Sequence, residues 1–181
     1  MKNILKLVGL AVFTLSTSQF AIAESVTLKF HTFVPMPANS NAKFVKPWAD
    51  KVASESNGEI KVEMYPSMQL GGAPPQLVDQ VRDGVVDIVW TVAGYTPGRF
   101  PRLEVFELPF MPATATATSQ ALQEYVDTVA AEDLKDYKVL AVHVHAPGKI
   151  HTKDRLIKSA SDLKGLKMRG PTRPITQMLE K

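Results

Sequence analysis

The sequence predicts an α/β fold built on parallel strands. Between Val26 and Val92, segments of alternating hydrophobicity take turns with segments of helical spacing, so the chain reads strand, helix, strand, helix, strand. The last of these strands, Val85–Val92, is nearly uncharged, the pattern of a strand covered on both faces by helices. With 45% hydrophobic and 22% charged residues in 181, the composition is that of an ordinary globular protein. It excludes collagen-like, coiled-coil, disulfide-rich and disordered classes, each of which needs a bias this chain lacks.

The first 23 residues stand apart from that fold. Lys2 and Lys6 precede the apolar run Leu7–Phe13, and the small-residue site Ala21-Ile22-Ala23 comes just before Glu24. This is the layout of a secretory signal peptide, with cleavage expected after Ala23, and its apolar stretch is too short for a stable membrane span. The leader holds two lysines and no acid, so its removal lowers the formal charge from +3 to +1. A chain so nearly neutral has no electrostatic case for a nucleic-acid partner. No second long apolar run follows, so no membrane insertion is expected after cleavage. Export and the absence of cysteine together suit an oxidising compartment, and a bacterial periplasm is the expected destination.

Taken in order, Val26–Phe33 is a strand, rich in β-branched and aromatic residues and ended by Pro35 and Pro37. From Asn39, Phe44, Val45, Trp48, Ala49, Val52 and Ala53 recur at helical spacing until Asn57-Gly58 terminates the helix. Glu59–Tyr65 alternates again, and two strands joined by a helix imply a right-handed parallel crossover. Pro74-Pro75 opens the second helix and Arg82-Asp83-Gly84 closes it, after which Asp87 is expected where the third strand begins. From Gly94 to Pro112, prolines interleave with Tyr95, Phe100, Phe106 and Phe110, which describes a loop surface held by aromatic anchors. A long helix is expected over Thr114–Leu134, a strand over Tyr137–His145, an extended piece over Ile150–Thr152 and a last strand over Leu166–Arg169. A final helix begins at Thr172 and reaches Lys181 with no terminator, so the sequence is expected to be an N-terminal fragment of a longer chain.

Catalytic machinery is sparse. There is no cysteine, no Gly-x-Ser-x-Gly elbow, no His-Glu-x-x-His helix, no Walker loop and no Gly-x-Gly-x-x-Gly. His143 and His145 lie two apart on an expected strand and so share a face, with His151 just beyond the Pro147-Gly148 break. Two imidazoles on one face suit zinc or copper, yet a third ligand is not evident nearby, and a role in stacking or hydrogen bonding is the simpler reading. Arg169 is more informative because it stands at an expected strand end just before a helix. A guanidinium there either anchors an anion, a carboxylate fitting well, or forms an ordinary solvated surface pair.

Three stretches carry a family resemblance: Tyr65-Pro-Ser-Met-Gln-Leu-Gly71; Asp83-Gly-Val-Val-Asp87 with Glu107-Leu-Pro-Phe110; and Leu163-Lys-Gly-Leu-Lys-Met-Arg-Gly-Pro171. In order and spacing they resemble the DctP-type solute receptors of tripartite ATP-independent periplasmic (TRAP) transporters, through the whole segment after the leader. The resemblance implies a two-lobe, periplasmic-binding-protein-like (type II-like) α/β fold that closes on a small organic acid. It further implies that residues 1–23 are the signal peptide, that residues 24–146 are most of the first lobe, and that residues 147–181 open a second, truncated lobe.

Within that family an Arg in a Lys-x-Arg-x-Pro setting pairs with the ligand carboxylate, and here it is Arg169 in Lys167-Met-Arg-Gly-Pro171. A second basic position twenty residues earlier, often Arg in relatives specific for sialic acid, is Lys149. Lysine gives a point charge where arginine gives a planar fork, which argues against a sialic-acid-like ligand. Pocket positions also follow strand ends, because ligands of parallel sheets gather outside the carboxyl ends of strands. These are Phe33, Trp90, Gly94 and Tyr95, with Lys149 and His151 shaping the remainder. The aromatics lean the ligand towards an apolar or aromatic carboxylic acid. The expected activity is non-enzymatic, with no cofactor: capture of the acid and its delivery to TRAP permease subunits. The alternative is a periplasmic metal-binding protein or metal-dependent enzyme built on His143 and His145.

Overall fold

A computed structural model of the chain describes residues 25–108 and 110–181; the expected signal peptide lies outside them. Three parallel strands form one sheet: β1 (Val26–Thr32), β2 (Ile60–Tyr65) and β3 (Ile88–Trp90), in the order β2-β1-β3. Phe30 pairs with Met64 on one side and Ile88 on the other, so β1 is the central strand. Placing β1 between its two successors needs a crossover on each side, and helices supply both.

The first crossover is a wide turn, Asn41–Val45, running into α1 (Lys46–Glu55). Its apolar positions Val45 and Ala49 are buried, and Trp48 meets Phe30 of β1 with ring centroids 6.5 Å apart. The second is a short turn, Pro74–Gln76, followed by α2 (Leu77–Arg82), which buries Leu77 and Val78. With Val86 and Phe100 these residues make the core of the sheet.

The third strand is shorter than its hydrophobic run predicts. The amides of Val85 and Val86 both turn back to the Gln80 carbonyl that closes α2, so neither joins the sheet. Asp87 does stand where β3 begins. Its carboxylate accepts the Lys29 amide at 2.8 Å, and its own amide donates to the Lys29 carbonyl at 3.2 Å, which completes the ladder.

A second cluster forms around α3 (Ala115–Thr128), whose first turn is capped by the Thr114 hydroxyl accepting the Ala117 amide. The expected long helix stops here. The amides of Val129 and Ala130 both reach the Tyr125 carbonyl, and residues 131–134 continue as a tighter 3-10 turn. Leu122, Val126 and Ala130 are buried against Leu103, Phe106, Tyr125, Val139, Val142 and Val144.

The strand expected over Tyr137–His145 is not one. The segment is extended, but two of its amides are taken by side chains of α3: Val142 donates to Gln123 Oε1 at 3.3 Å and Val144 to Ser119 Oγ at 3.0 Å. Its valines, Val139, Val142 and Val144, record burial against a helix instead of membership of a sheet. The strand expected over Leu166–Arg169 likewise pairs with no neighbour among the described residues, and without a ladder partner an extended segment is not a strand. The last helix, α4 (Arg173–Leu179), forms where expected and is one turn shorter.

Candidate functional site

The carboxyl ends of β1 and β3 are tied together by Thr32. Its hydroxyl donates to the Trp90 carbonyl at 3.2 Å and accepts the Val34 amide at 3.2 Å, so the chain leaves both strands in a fixed direction. Buried Asn41 fixes the same exit, donating to the carbonyls of Val34 and Pro35. Phe33 is thereby presented beyond the sheet edge. After β3 the chain turns through Ala93–Tyr95, and the Tyr95 ring meets Phe33 edge-on, with centroids 5.4 Å apart at 61°.

This aromatic pair is part of the wall of an open cleft of about 710 Å³. Pro74 and Pro75 supply one side of the cleft, Gly94, Tyr95 and Pro97 another, and the segment from Arg169 to Arg173 with Thr176 the third. Two glycines make room here: Gly94 lets the last segment approach, and Gly170 lets α4 pack back on that same segment. A Cβ on Gly94 would stand 2.7 Å from Thr172 Cγ2, and one on Gly170 would stand 2.8 Å from Thr176 Cα. Glu107 packs behind Gly94, with its Oε2 buried and unpaired.

Two cations line the cleft, Arg169 and Arg173. Arg173 is paired with Glu104, Nη2 to Oε2 at 3.3 Å. Arg169 is exposed, and among the described residues it has no carboxylate within ion-pair distance. A guanidinium beside aromatic and proline surface, with its fork unclaimed, is chemically fitted to a carboxylate joined to an apolar body.

Of the residues singled out from sequence, Phe33, Gly94, Tyr95 and Arg169 come together on this cleft. Trp90, Lys149 and His151 are not among its lining residues. Trp90 is half-buried and meets the His143 imidazole at a tilt of 50° with centroids 5.3 Å apart, while Lys149 and His151 are exposed. The sequence reading missed Pro74, Pro75, Thr172 and Arg173. Arg173 had a signal: it follows Arg169 by four residues across a helix start.

The two histidines do not assemble a metal centre. His143 is exposed and lies against the Trp90 ring, and His145 Nδ1 lies 2.5 Å from the Ala146 carbonyl. Among the described residues, no group of three or more His, Asp or Glu side chains could hold a metal ion.

Residues 32–181 match the family described as bacterial extracellular solute-binding protein, family 7 (DctP). The chain belongs to that family. Its fold is accordingly the α/β architecture of two-lobe periplasmic binding proteins, of which the described residues show one parallel sheet and its helices. A TRAP solute-binding protein from a marine metagenome, specific for aromatic acids and crystallised with 3-hydroxybenzoate, is 83% identical with a TM-score of 0.84, over 87% of this chain and 49% of that one. One from Rhodoferax ferrireducens, with copurified benzoate, is 61% identical with a TM-score of 0.83, over 86% of this chain and 48% of that one. The 2,3-diketo-L-gulonate-binding periplasmic protein YiaO of Escherichia coli is 28% identical over 169 residues, 92% of this chain and 49% of that protein. The chain spans about half the length of the curated relatives it matches.

Proposed function

We propose that this family 7 chain serves a periplasmic receptor that captures a small aromatic monocarboxylate and hands it to the membrane subunits of a TRAP transporter. The observation that carries the reading is the unpaired Arg169 guanidinium on a cleft walled by the edge-to-face pair of Phe33 and Tyr95. Arg169 takes the carboxylate in a charge-assisted pair, and Phe33, Gly94 and Tyr95 receive the ring. The binding of 3-hydroxybenzoate and benzoate by relatives 83% and 61% identical supports an aromatic acid. Export follows from the leader, with cleavage after Ala23. It is supported by the periplasmic location in the name of the Escherichia coli relative, and no helix among the described residues is long and apolar enough to cross a membrane.

In this reading residues 24–146 belong to the first lobe and residues 147–181 open the second. The cleft then lies where the two lobes meet. Ligand held by Arg169 on one side and by the rings on the other favours the closed arrangement by its differential affinity for the two states.

Titration calorimetry of the complete protein with benzoate and 3-hydroxybenzoate tests the reading, with a sugar acid of similar size as the control. Arg169→Ala is expected to weaken aromatic-acid binding at least about tenfold, the scale of one lost hydrogen-bonded charge pair. Equal affinity of Arg169→Ala and the parent would overturn it.

A further inference from the structure

Two arginines on one cleft, four residues apart, would ordinarily suit a ligand with two carboxylates. Here the second arginine is already matched by the protein. Glu104, in the turn Leu103–Glu107, has both oxygens assigned: Oε1 accepts the Gly98 amide at 2.7 Å and Oε2 accepts Arg173 Nη2 at 3.3 Å. The backbone amide fixes the carboxylate, and the carboxylate in turn holds the guanidinium. Glu104 is three-quarters buried, at 25% side-chain exposure, so water screens the pair only partly.

We infer that Glu104 is a specificity-determining residue, which neutralises Arg173 and leaves the cleft one uncompensated cation, Arg169. This rests on the reading of the cleft as a carboxylate site and states the ligand's charge: one carboxylate is matched and a second is opposed. A dianion placed in the cleft would meet an arginine whose charge is already paired through Nη2 and, behind it, a fixed negative charge. Rejection of that kind is built from repulsion and not from loss of contacts. The polar partners of Glu104 are Gly98 and Arg173 and none of the ring-binding residues, so its effect falls on charge number and not on aromatic character.

The test compares benzoate with benzene-1,3-dicarboxylate, which puts a second carboxylate where 3-hydroxybenzoate has its hydroxyl. Affinities are measured by calorimetry on the complete protein and on Glu104→Gln, whose side-chain carbonyl still accepts the Gly98 amide. The parent is expected to prefer benzoate. Glu104→Gln is expected to raise the dicarboxylate-to-benzoate affinity ratio about tenfold, the scale of one charge-assisted pair gained. Added salt should shrink that gain. Adding Arg173→Gln to Glu104→Gln should return the ratio to the parental value, and Glu104→Asp should keep it near parental. If Glu104→Gln does not fold, Glu104→Ala reads the same ratio. An unchanged ratio in the neutral variant, or a raised ratio that survives removal of Arg173, overturns the inference while leaving benzoate binding intact. Failure of the parent to bind any carboxylate overturns the site reading and this inference with it.

Discussion

The buried imidazole of His31 and the side-chain amide of Gln80 meet at 2.7 Å, Nδ1 to Oε1. The Leu70 amide points at His31 Nε2 from 3.4 Å, which makes Nε2 the acceptor and puts the ring proton on Nδ1. Gln80 Nε2 donates in turn to the Gly71 carbonyl at 3.2 Å. A residue of β1 and a residue of α2 thus clamp the loop that leads to Pro74 and Pro75, one wall of the cleft. Gln80→Ala leaves the Nδ1–H unpaired in a fully buried ring and frees Gly71. It is expected to cost about 1–3 kcal/mol in urea unfolding, with the m-value unchanged.

Gly170 is required for space. Its would-be Cβ approaches a backbone atom, Thr176 Cα, which cannot move without the whole of α4. Gly170→Ala is therefore expected to destabilise by about 1–3 kcal/mol and to weaken benzoate binding, because α4 and the Arg169 segment must separate. Gly148→Ala, with nothing within 4 Å of its would-be Cβ, is the control and should melt within about a degree or two of the parent.

Phe33 contributes to the cleft and little to the sheet core. Phe33→Ala should lower benzoate affinity by roughly twofold to tenfold, the range for one edge-to-face aromatic contact, with a smaller effect on stability. A calorimetric titration beside a thermal melt separates the two, and a large melting shift with unchanged affinity would contradict the placement of the ring.

Asp162 gives the segment 158–163 a pH dependence. The amides of Lys158 and Ser159 each donate to Asp162 Oδ2 at 2.9 Å and the Ser159 hydroxyl does so at 3.1 Å, which holds the carboxyl below the ordinary aspartate range. A depressed folded-state pKa means that this contribution is complete above the unfolded-state value and is lost as pH falls through the folded-state one. Amide exchange at Lys158 and Ser159, corrected for intrinsic rates, is expected to lose protection below about pH 4, and Asp162→Asn should remove that dependence.

The alternation of helix and strand between Val26 and Trp90 was legible because each crossover repeats a local pattern: an apolar stripe and a glycine stop. The strand expectation for Tyr137–His145 failed for a definite reason. An apolar run reports that side chains are buried, and it does not say against what. For Tyr137–His145 the answer is α3, whose Gln123 and Ser119 side chains take amides that a neighbouring strand would have taken.

At the site, the sequence by itself marked Arg169 through its motif and Phe33, Gly94 and Tyr95 through their places after strand ends. The tertiary structure alone decided which of the marked residues face the cleft, and it turned Trp90 towards His143. It also decided the charge left for a ligand, by bringing Glu104 to Arg173 across 69 residues of chain. Local periodicity encodes burial and turns, whereas the pairing of two charges so far apart exists only once helices and loops have packed and set their distance.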